Sequence, residues 1–271
     1  MIRWDWGQNV HLTRLSIIIG RQLVTFYERS MSPVPRPAIQ IRHSNSMSNR
    51  SKYYLLALFA AAMALLEAAV VVYMRRLYYP ENPLDIFPLD FLSVYDPRLE
   101  LAREASTIVM LIVVALLAGH TTWTRKFAAF VFVFGFWDLL YYAWLKVLIG
   151  WPRNWHEWDV LFLIPTIWLG PWICPALIAL LFTIWGSAIL LGCERRAMPA
   201  WSVWTFTAGS TAGLITFMQP AIAVWLNGGG EALIEFRPNG FWWWLYIPAF
   251  ALMSVGLWSC FLRSGKLCSK T

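Results

Sequence analysis

Residues 53–74 read YYLLALFAAAMALLEAAVVVYM, an apolar run with a single charged side chain, Glu67. A helix needs about 20 mostly apolar residues to cross about 30 Å of hydrocarbon, so this stretch predicts a transmembrane helix. Similar runs follow at 105–123, 127–149, 160–192, 201–226 and 241–262. The sequence therefore predicts an all-α integral membrane protein with about six transmembrane helices.

The composition agrees with a membrane protein. The 271 residues are 59% hydrophobic and 14% charged, and 18 of them are tryptophan, whereas soluble domains average about 45–50% apolar and about 25% charged. Tryptophan is typical of the two membrane–water interfaces. The net charge of +7 comes from short basic segments between apolar runs. We therefore expect the lipid bilayer as the main partner and no nucleic acid, with homo- or hetero-oligomers left open.

The fourth run, 160–192, is too long for one straight helix, since at about 1.5 Å per residue it would reach roughly 50 Å. Its first half, LFLIPTIWLGPWICP at 161–175, is rich in proline, which removes a backbone donor and clashes with the preceding turn. We predict a short broken or re-entrant piece at 160–171 and a spanning helix at 172–192. Irregular backbone at membrane depth persists only where protein or a watery cavity covers it, so the break indicates a nearby site.

The distribution of Lys and Arg predicts that both termini lie in the cytoplasm, because cytoplasmic loops carry an excess of these residues. Fifteen of the 22 basic residues lie in the segments that this orientation places inside: Arg3, Arg14, Arg21, Arg29, Arg36, Arg42, Arg50, Lys52, Arg125, Lys126, Arg195, Arg196, Arg263, Lys266 and Lys270. The expected location is a bacterial-type cytoplasmic (inner) membrane.

Three segments follow from this topology. Residues 1–52 are expected to form a cytoplasmic N-terminal extension, an amphipathic stretch followed by a linker. We expect its first 46 residues to be dispensable, and a chain start at Met47 is an open alternative. Residues 53–262 form the six-helix transmembrane domain, with a large outer loop at 80–104, and residues 263–271 form a cytoplasmic tail.

Ionisable residues inside a membrane are costly, so each one is a candidate functional residue. Glu67, Glu104, Asp138 and Asp159 all lie in or beside apolar runs. On the predicted topology they lie in the outer half of the bilayer or at its surface, and they converge if the first four helices pack together. We predict these four carboxylates as catalytic residues.

Tyr141 and Tyr142 complete the predicted catalytic set. They follow Asp138 at i+3 and i+4, so the three side chains share one helix face, and the two phenols can orient the carboxylates. The second run shows a similar polar face, formed by Glu100, Arg103, Glu104 and Thr107.

A divalent metal is one cofactor that such a cluster can hold, since carboxylates and imidazole bind hard or borderline cations. His156 and Asp159 would both reach one ion if their segment were helical. The predicted ligands are Glu67, Glu104, Asp138, His156 and Asp159. Without a metal, the same cluster would pass protons or bind a cationic substrate.

The same carboxylates also have a purely structural interpretation. Glu67 would then pair with an arginine, Asp138 would accept hydrogen bonds from tyrosine and tryptophan, and the other two would be solvated at the interface. The candidate partners of Glu67 are Arg75, Arg76 and Arg103.

Tryptophans gather near the third and fourth runs, at positions 137, 144, 151, 155, 158, 168 and 172. They would line a pocket for a lipid-soluble molecule or form an aromatic belt at the interface. The sequence alone leaves the cofactor-binding residues unassigned.

Three functions fit these features. The first is a membrane-embedded enzyme that acts on a lipid-soluble substrate with a metal or with acid–base carboxylates. The second is a small proton-coupled transporter, and the third is an accessory subunit of a larger membrane complex. Many transporters show inverted repeats and paired broken helices, whereas this chain has one break, and a subunit has little need for buried carboxylates. We therefore favour the enzyme.

Overall fold

The computed structural model describes residues 47–89, 92, 97–192 and 198–262. Within these residues the chain is mostly helical, with six α-helices and one two-stranded antiparallel sheet. The helices are α1 (Asn49–Tyr78), α2 (Pro97–Leu117), α3 (Trp123–Ile149), α4 (Ile173–Leu191), α5 (Ala200–Ile234) and α6 (Trp243–Leu262). The strands are β1 (Trp158–Phe162) and β2 (Trp168–Pro171), between α3 and α4. The predicted residues 1–46 and the tail 263–271 lie outside the described residues.

Five of these helices, all except α2, are long and apolar enough to cross a membrane. The remaining helix, α2, carries Glu100, Arg103 and Glu104 in its first half. It begins at Pro97, within the stretch predicted as the loop 80–104. Proline suits the first position of a helix because its missing N–H has no partner to lose there.

Consecutive helices run in opposite directions. The end of α1, the start of α2, the end of α3 and the start of α4 border one cavity, and Tyr246 at the start of α6 donates to the carbonyl of Cys174 at the start of α4, 2.7 Å away. The second half of α5 packs beside β2 through Ala221 and Leu169. We call this end of the bundle the site end. Both Met47 and Leu262 therefore belong to the opposite end.

The opposite end is filled by apolar side chains. The large core cluster joins α1, α2, α3, α4 and α6 there, with Phe132, Trp185 and Leu257 fully buried. Helices α3 and α4 approach closely at Gly186, where a Cβ atom would stand 2.6 Å from Cβ of Phe132. Arg125 is buried in this region, and its Nη2 donates to the carbonyl of Leu190 at 2.7 Å. This contact satisfies a free carbonyl at the end of α4.

The predicted broken or re-entrant piece at 160–171 contains a β-hairpin, and the rest of the described chain is mostly helical, consistent with an all-α membrane protein. Asp159 pairs with Gly170 and Val160 with Leu169 across the two strands. Pro165 lies in the turn between the two strands, and Pro171 is the last residue of β2. A helix would lose a backbone hydrogen-bond donor at each of these prolines. The spanning helix α4 begins directly after the hairpin, at Ile173, close to the predicted 172.

Helix α5 continues beyond the predicted span 201–226. Its helical path is interrupted at Gly229, which has φ 68 and ψ −159. A positive φ of this kind is accessible to glycine at little cost. The glycine-rich stretch at 228–230 therefore interrupts the last part of α5.

Candidate functional site

A cavity of about 190 Å³ lies at the site end. Helices α1, α2 and α3 and the hairpin supply its charged wall, and α4 and α5 contribute apolar side chains. The six residues predicted as catalytic all border this one cavity: Glu67, Glu104, Asp138, Tyr141, Tyr142 and Asp159. Helix packing thus brings together side chains that are far apart in the sequence.

Asp159 on β1 forms a buried ion pair with Arg75 of α1. Nη2 of Arg75 donates to Oδ1 of Asp159 at 3.0 Å, and the two side chains are 5% and 4% exposed. The guanidinium also lies over the ring of Trp151, 4.2 Å from its centroid. Burial raises the pKa of Asp159 to about 6, although the charge of Arg75 acts in the other direction. The pair fastens the hairpin to α1.

Arg103 of α2 bridges two other carboxylates. It forms ion pairs with Glu67 on α1 and with Glu100 one turn earlier on its own helix. The first contact is one of the partnerships that the structural interpretation of Glu67 foresaw. Glu67 therefore shares an arginine partner with Glu100 and connects α1 to α2.

Glu104 is buried and accepts a hydrogen bond from the backbone N–H of Leu163, 2.8 Å away. This bond joins α2 to the residue that follows β1. The interpretation of Glu104 and Asp159 as solvated interfacial residues is wrong, because each is at most 6% exposed. Both carboxylates position the hairpin over the cavity.

Asp138, Tyr141 and Tyr142 differ from the other polar groups of the cavity. Asp138 is 8% exposed, yet none of the three side chains forms a hydrogen bond or an ion pair within the part of the chain that the structure describes. Protein atoms do not completely enclose the Asp138 oxygens or the two hydroxyls, and all three residues border the cavity. The interpretation of Asp138 as an acceptor for tyrosine or tryptophan therefore has no support. We call this set the open polar face.

Aromatic rings form the other wall. Phe162 of the hairpin lies 5.3 Å from Trp168 and 6.4 Å from Trp137, centroid to centroid. Trp168 stacks on Phe217 of α5 at 6.4 Å and 3°. The cavity thus joins a carboxyl and two phenols to a large apolar surface, an arrangement that suits an amphiphilic ligand.

The predicted metal site is not assembled. His156 is exposed, packs against Trp155 at 5.1 Å and does not border the cavity. It lies in a turn before β1, so the helical spacing that would bring it beside Asp159 does not apply. Among the described residues, no three of His, Cys, Asp and Glu are placed to hold a metal ion.

Sequence reasoning assigned no site role to Arg75, Phe162 or Phe217. Arg75 follows directly on a predicted span, and a basic residue at that position is expected to anchor a helix at the interface. Its pairing with Asp159, 84 positions later, depends on the hairpin, which the sequence pattern did not reveal. The aromatic residues carry no local signal because such rings are frequent throughout this chain.

Comparison with known proteins supplies no template for this arrangement: no family model, curated protein or solved structure matches the chain.

Proposed function

We propose that the protein is a membrane-embedded enzyme that binds a lipid-soluble substrate in the cavity and transfers a proton through Asp138. The observation that carries this proposal is the open polar face. In the same cavity Asp159, Glu67 and Glu100 have arginine partners, and Glu104 accepts a backbone hydrogen bond. Among the described carboxyl groups that border the cavity, Asp138 is the one that remains for a bound molecule.

Acid–base chemistry follows from these groups. Leaving a carboxylate buried without a partner costs several kcal/mol, so a structural role alone gives no reason to retain Asp138 there. A carboxyl beside two phenols can accept or donate a proton and bind the reacting group in both states. Tyr141 and Tyr142 would position the substrate, since their hydroxyls form no hydrogen bond with the described residues and both side chains border the cavity.

A lipid-soluble substrate fits the remainder of the site. The cavity lies among helices that are apolar enough to span a membrane, and its far wall is built from rings such as Phe162, Trp168 and Phe217. Apolar surface of this kind binds the non-reacting part of a substrate and excludes water from the carboxyl.

Transport is a weaker candidate. A carrier opens its site to each side of the membrane in turn. The opposite end of this bundle is a close-packed apolar core, and its buried Arg125 is engaged by the end of α4. A site that opens at one end favours chemistry over translocation.

The direct test is a substrate-independent search for turnover. Wild type, Asp138→Asn and Asp85→Asn would be reconstituted in lipid nanodiscs and incubated in D₂O with a lipid extract of the source membrane. Mass spectrometry would then detect compounds that gain deuterium or change in amount. Asp85 is exposed, so Asp85→Asn makes the same chemical change outside the cavity.

We expect wild type and Asp85→Asn to convert the same compound and Asp138→Asn to do so about 10²–10⁴-fold more slowly, the usual contribution of a general acid or base. Equal turnover by a folded Asp138→Asn protein would contradict the proposal. So would the lack of any conversion that depends on the wild-type protein.

The orientation is part of the proposal. The basic residues favour cytoplasmic termini in a bacterial-type inner membrane, and the alternating helices bring Met47 and Leu262 to one end of the bundle. The cavity would then open in the outer half of the membrane.

A further inference from the structure

The charges around the cavity indicate what kind of substrate it takes. Five carboxyl groups border it, Glu67, Glu100, Glu104, Asp138 and Asp159, against two guanidinium groups, Arg75 and Arg103. Both arginines are already paired with carboxylates. Among the described residues that border the cavity, an anionic ligand would find a surplus of negative charge and arginines that are already paired, whereas a cationic ligand would find the carboxyl of Asp138.

Some hydrogen-bond donors near the cavity also lack partners among the described residues. They are Nη1 of Arg75 and the indole nitrogens of Trp137 and Trp168. Protein atoms enclose these three nitrogens completely, so they do not face the open space. The Asp138 carboxyl and the hydroxyls of Tyr141 and Tyr142 are not enclosed in this way, and all three can accept hydrogen bonds.

We infer that the substrate carries a protonated amine, held by the open polar face, on an apolar body that packs against the aromatic wall. This inference rests on the proposed function and names the substrate class of the same site. A primary ammonium group donates three hydrogen bonds, and the open polar face offers one carboxylate and two phenol oxygens.

Aromatic rings strengthen this preference. Tyr141 lies 6.4 Å from Trp137 and 5.2 Å from Tyr142, centroid to centroid, and these three residues border the same cavity as Asp138. Ring faces attract ammonium groups, and most strongly where water is excluded. A cavity that combines a carboxylate with aromatic rings therefore favours a cation over a neutral molecule of the same shape.

The size of the cavity limits the apolar body. At about 190 Å³ it is slightly larger than an apolar cavity of about 150 Å³, which binds benzene. A single ring or a short alkyl segment therefore fits inside together with the ammonium group. A longer tail would extend out of the cavity between the helices.

The test measures binding of tritiated 2-phenylethylamine to the protein in nanodiscs, with free ligand determined by dialysis against empty nanodiscs. Unlabelled 2-phenylethanol and 3-phenylpropionate serve as neutral and anionic competitors of similar shape. n-Octylamine and n-octanol form a second pair with a different body. Asp138→Asn and Asp85→Asn are measured in parallel.

We expect each amine to bind about ten- to a hundredfold more tightly than its alcohol, the range of hydrogen bonds to a charged group. Asp138→Asn should lose a similar factor, and Asp85→Asn should lose none. If neither amine binds more tightly than its alcohol, or if the anion binds most tightly, the inference is overturned. This comparison uses wild-type protein and does not depend on the folding of the variant.

The two proposals fail separately. If amine binding depends on Asp138 but no compound of the lipid extract is turned over, the inference about the ligand class stands and the proposed enzymatic function is contradicted. Turnover of a neutral compound that depends on Asp138, without amine selectivity, would retain the enzyme and contradict this inference.

Discussion

The ion pair between Arg75 and Asp159 yields the sharpest prediction for stability. Arg75→Met removes the charged guanidinium, which lies over Trp151, and keeps an apolar side chain of similar length. Asp159 would then be buried without its partner, because the wild-type side chain is only 4% exposed. Loss of one member of a buried pair typically costs about 3–5 kcal/mol, and we expect a decrease of this size in the free energy of unfolding at pH 8.

This cost should depend on pH. Burial already raises the pKa of Asp159 to about 6 in the wild type, and removing Arg75 raises the pKa further. Above pH 6 the wild-type carboxyl is ionised in both states, whereas the variant must take up a proton on folding. One pKa unit corresponds to about 1.4 kcal/mol, so the destabilisation should grow by up to that amount per pH unit from pH 6 to pH 8.

The assay is reversible unfolding in mixed micelles, with the detergent SDS as denaturant and helicity as the signal. A double-mutant cycle with Arg75→Met and Asp159→Asn isolates the interaction, and we expect a coupling energy of about 2–3 kcal/mol. The control cycle uses Arg153→Met and Glu157→Gln, since the Arg153–Glu157 pair is 47% and 15% exposed. Exposed pairs usually contribute less than about 1 kcal/mol.

A loss below about 1 kcal/mol for Arg75→Met, or a loss that does not change between pH 6 and pH 8, would refute this reasoning. Either result would mean that water reaches the pair or that the hairpin is not fastened to α1.

Two further predictions address the packing and the orientation of the bundle. Gly186→Ala should destabilise the protein by about 1–3 kcal/mol, the usual cost of overpacking, because the new Cβ would stand 2.6 Å from Cβ of Phe132. Gly230→Ala is the control, since its Cβ would meet open space and should cause no loss of stability. Equal effects of the two substitutions in SDS unfolding would contradict the close contact of α3 and α4. Orientation is tested by cysteine labelling in a Cys193→Ser and Cys268→Ser background, with a membrane-impermeant maleimide applied to intact cells. Trp155→Cys, near the site end, should be labelled directly, whereas Trp123→Cys should be labelled only after permeabilisation. Both tryptophans are exposed, so the introduced thiols are accessible to the reagent on their own side of the membrane. The reverse pattern would invert the proposed topology.

Local sequence patterns predicted much of the helical framework. Each predicted apolar run overlaps a helix of the described chain, and five of these helices are long and apolar enough to cross a membrane, as the prediction requires. Helical spacing placed Asp138, Tyr141 and Tyr142 on one face, and the structure puts all three on the same cavity. The proline-rich start of the fourth run correctly indicated an interruption before α4.

The remainder depends on tertiary contacts that no local pattern encodes. The interruption is a hairpin whose Asp159 faces Arg75, a residue from a helix much earlier in the chain. Helical spacing in the second run indicated a polar face, but it did not reveal that Arg103 and the backbone N–H of Leu163 pair with carboxylates at the start of α2 and on α1. Asp138 was one of four carboxylates predicted as catalytic, and its lack of a partner among the described residues becomes visible only when the partners of the other three are known.

The central claim is that the open polar face holds a bound molecule. The most direct test is to determine cryo-electron microscopy structures of the wild type and of Asp138→Asn, each purified with native lipids and placed in nanodiscs. We predict non-protein density in the wild-type cavity within hydrogen-bonding distance of the Asp138 carboxyl, and weaker density there in Asp138→Asn. A cavity closed by side chains, with the Asp138 carboxyl hydrogen-bonded to another part of the protein, would contradict the account.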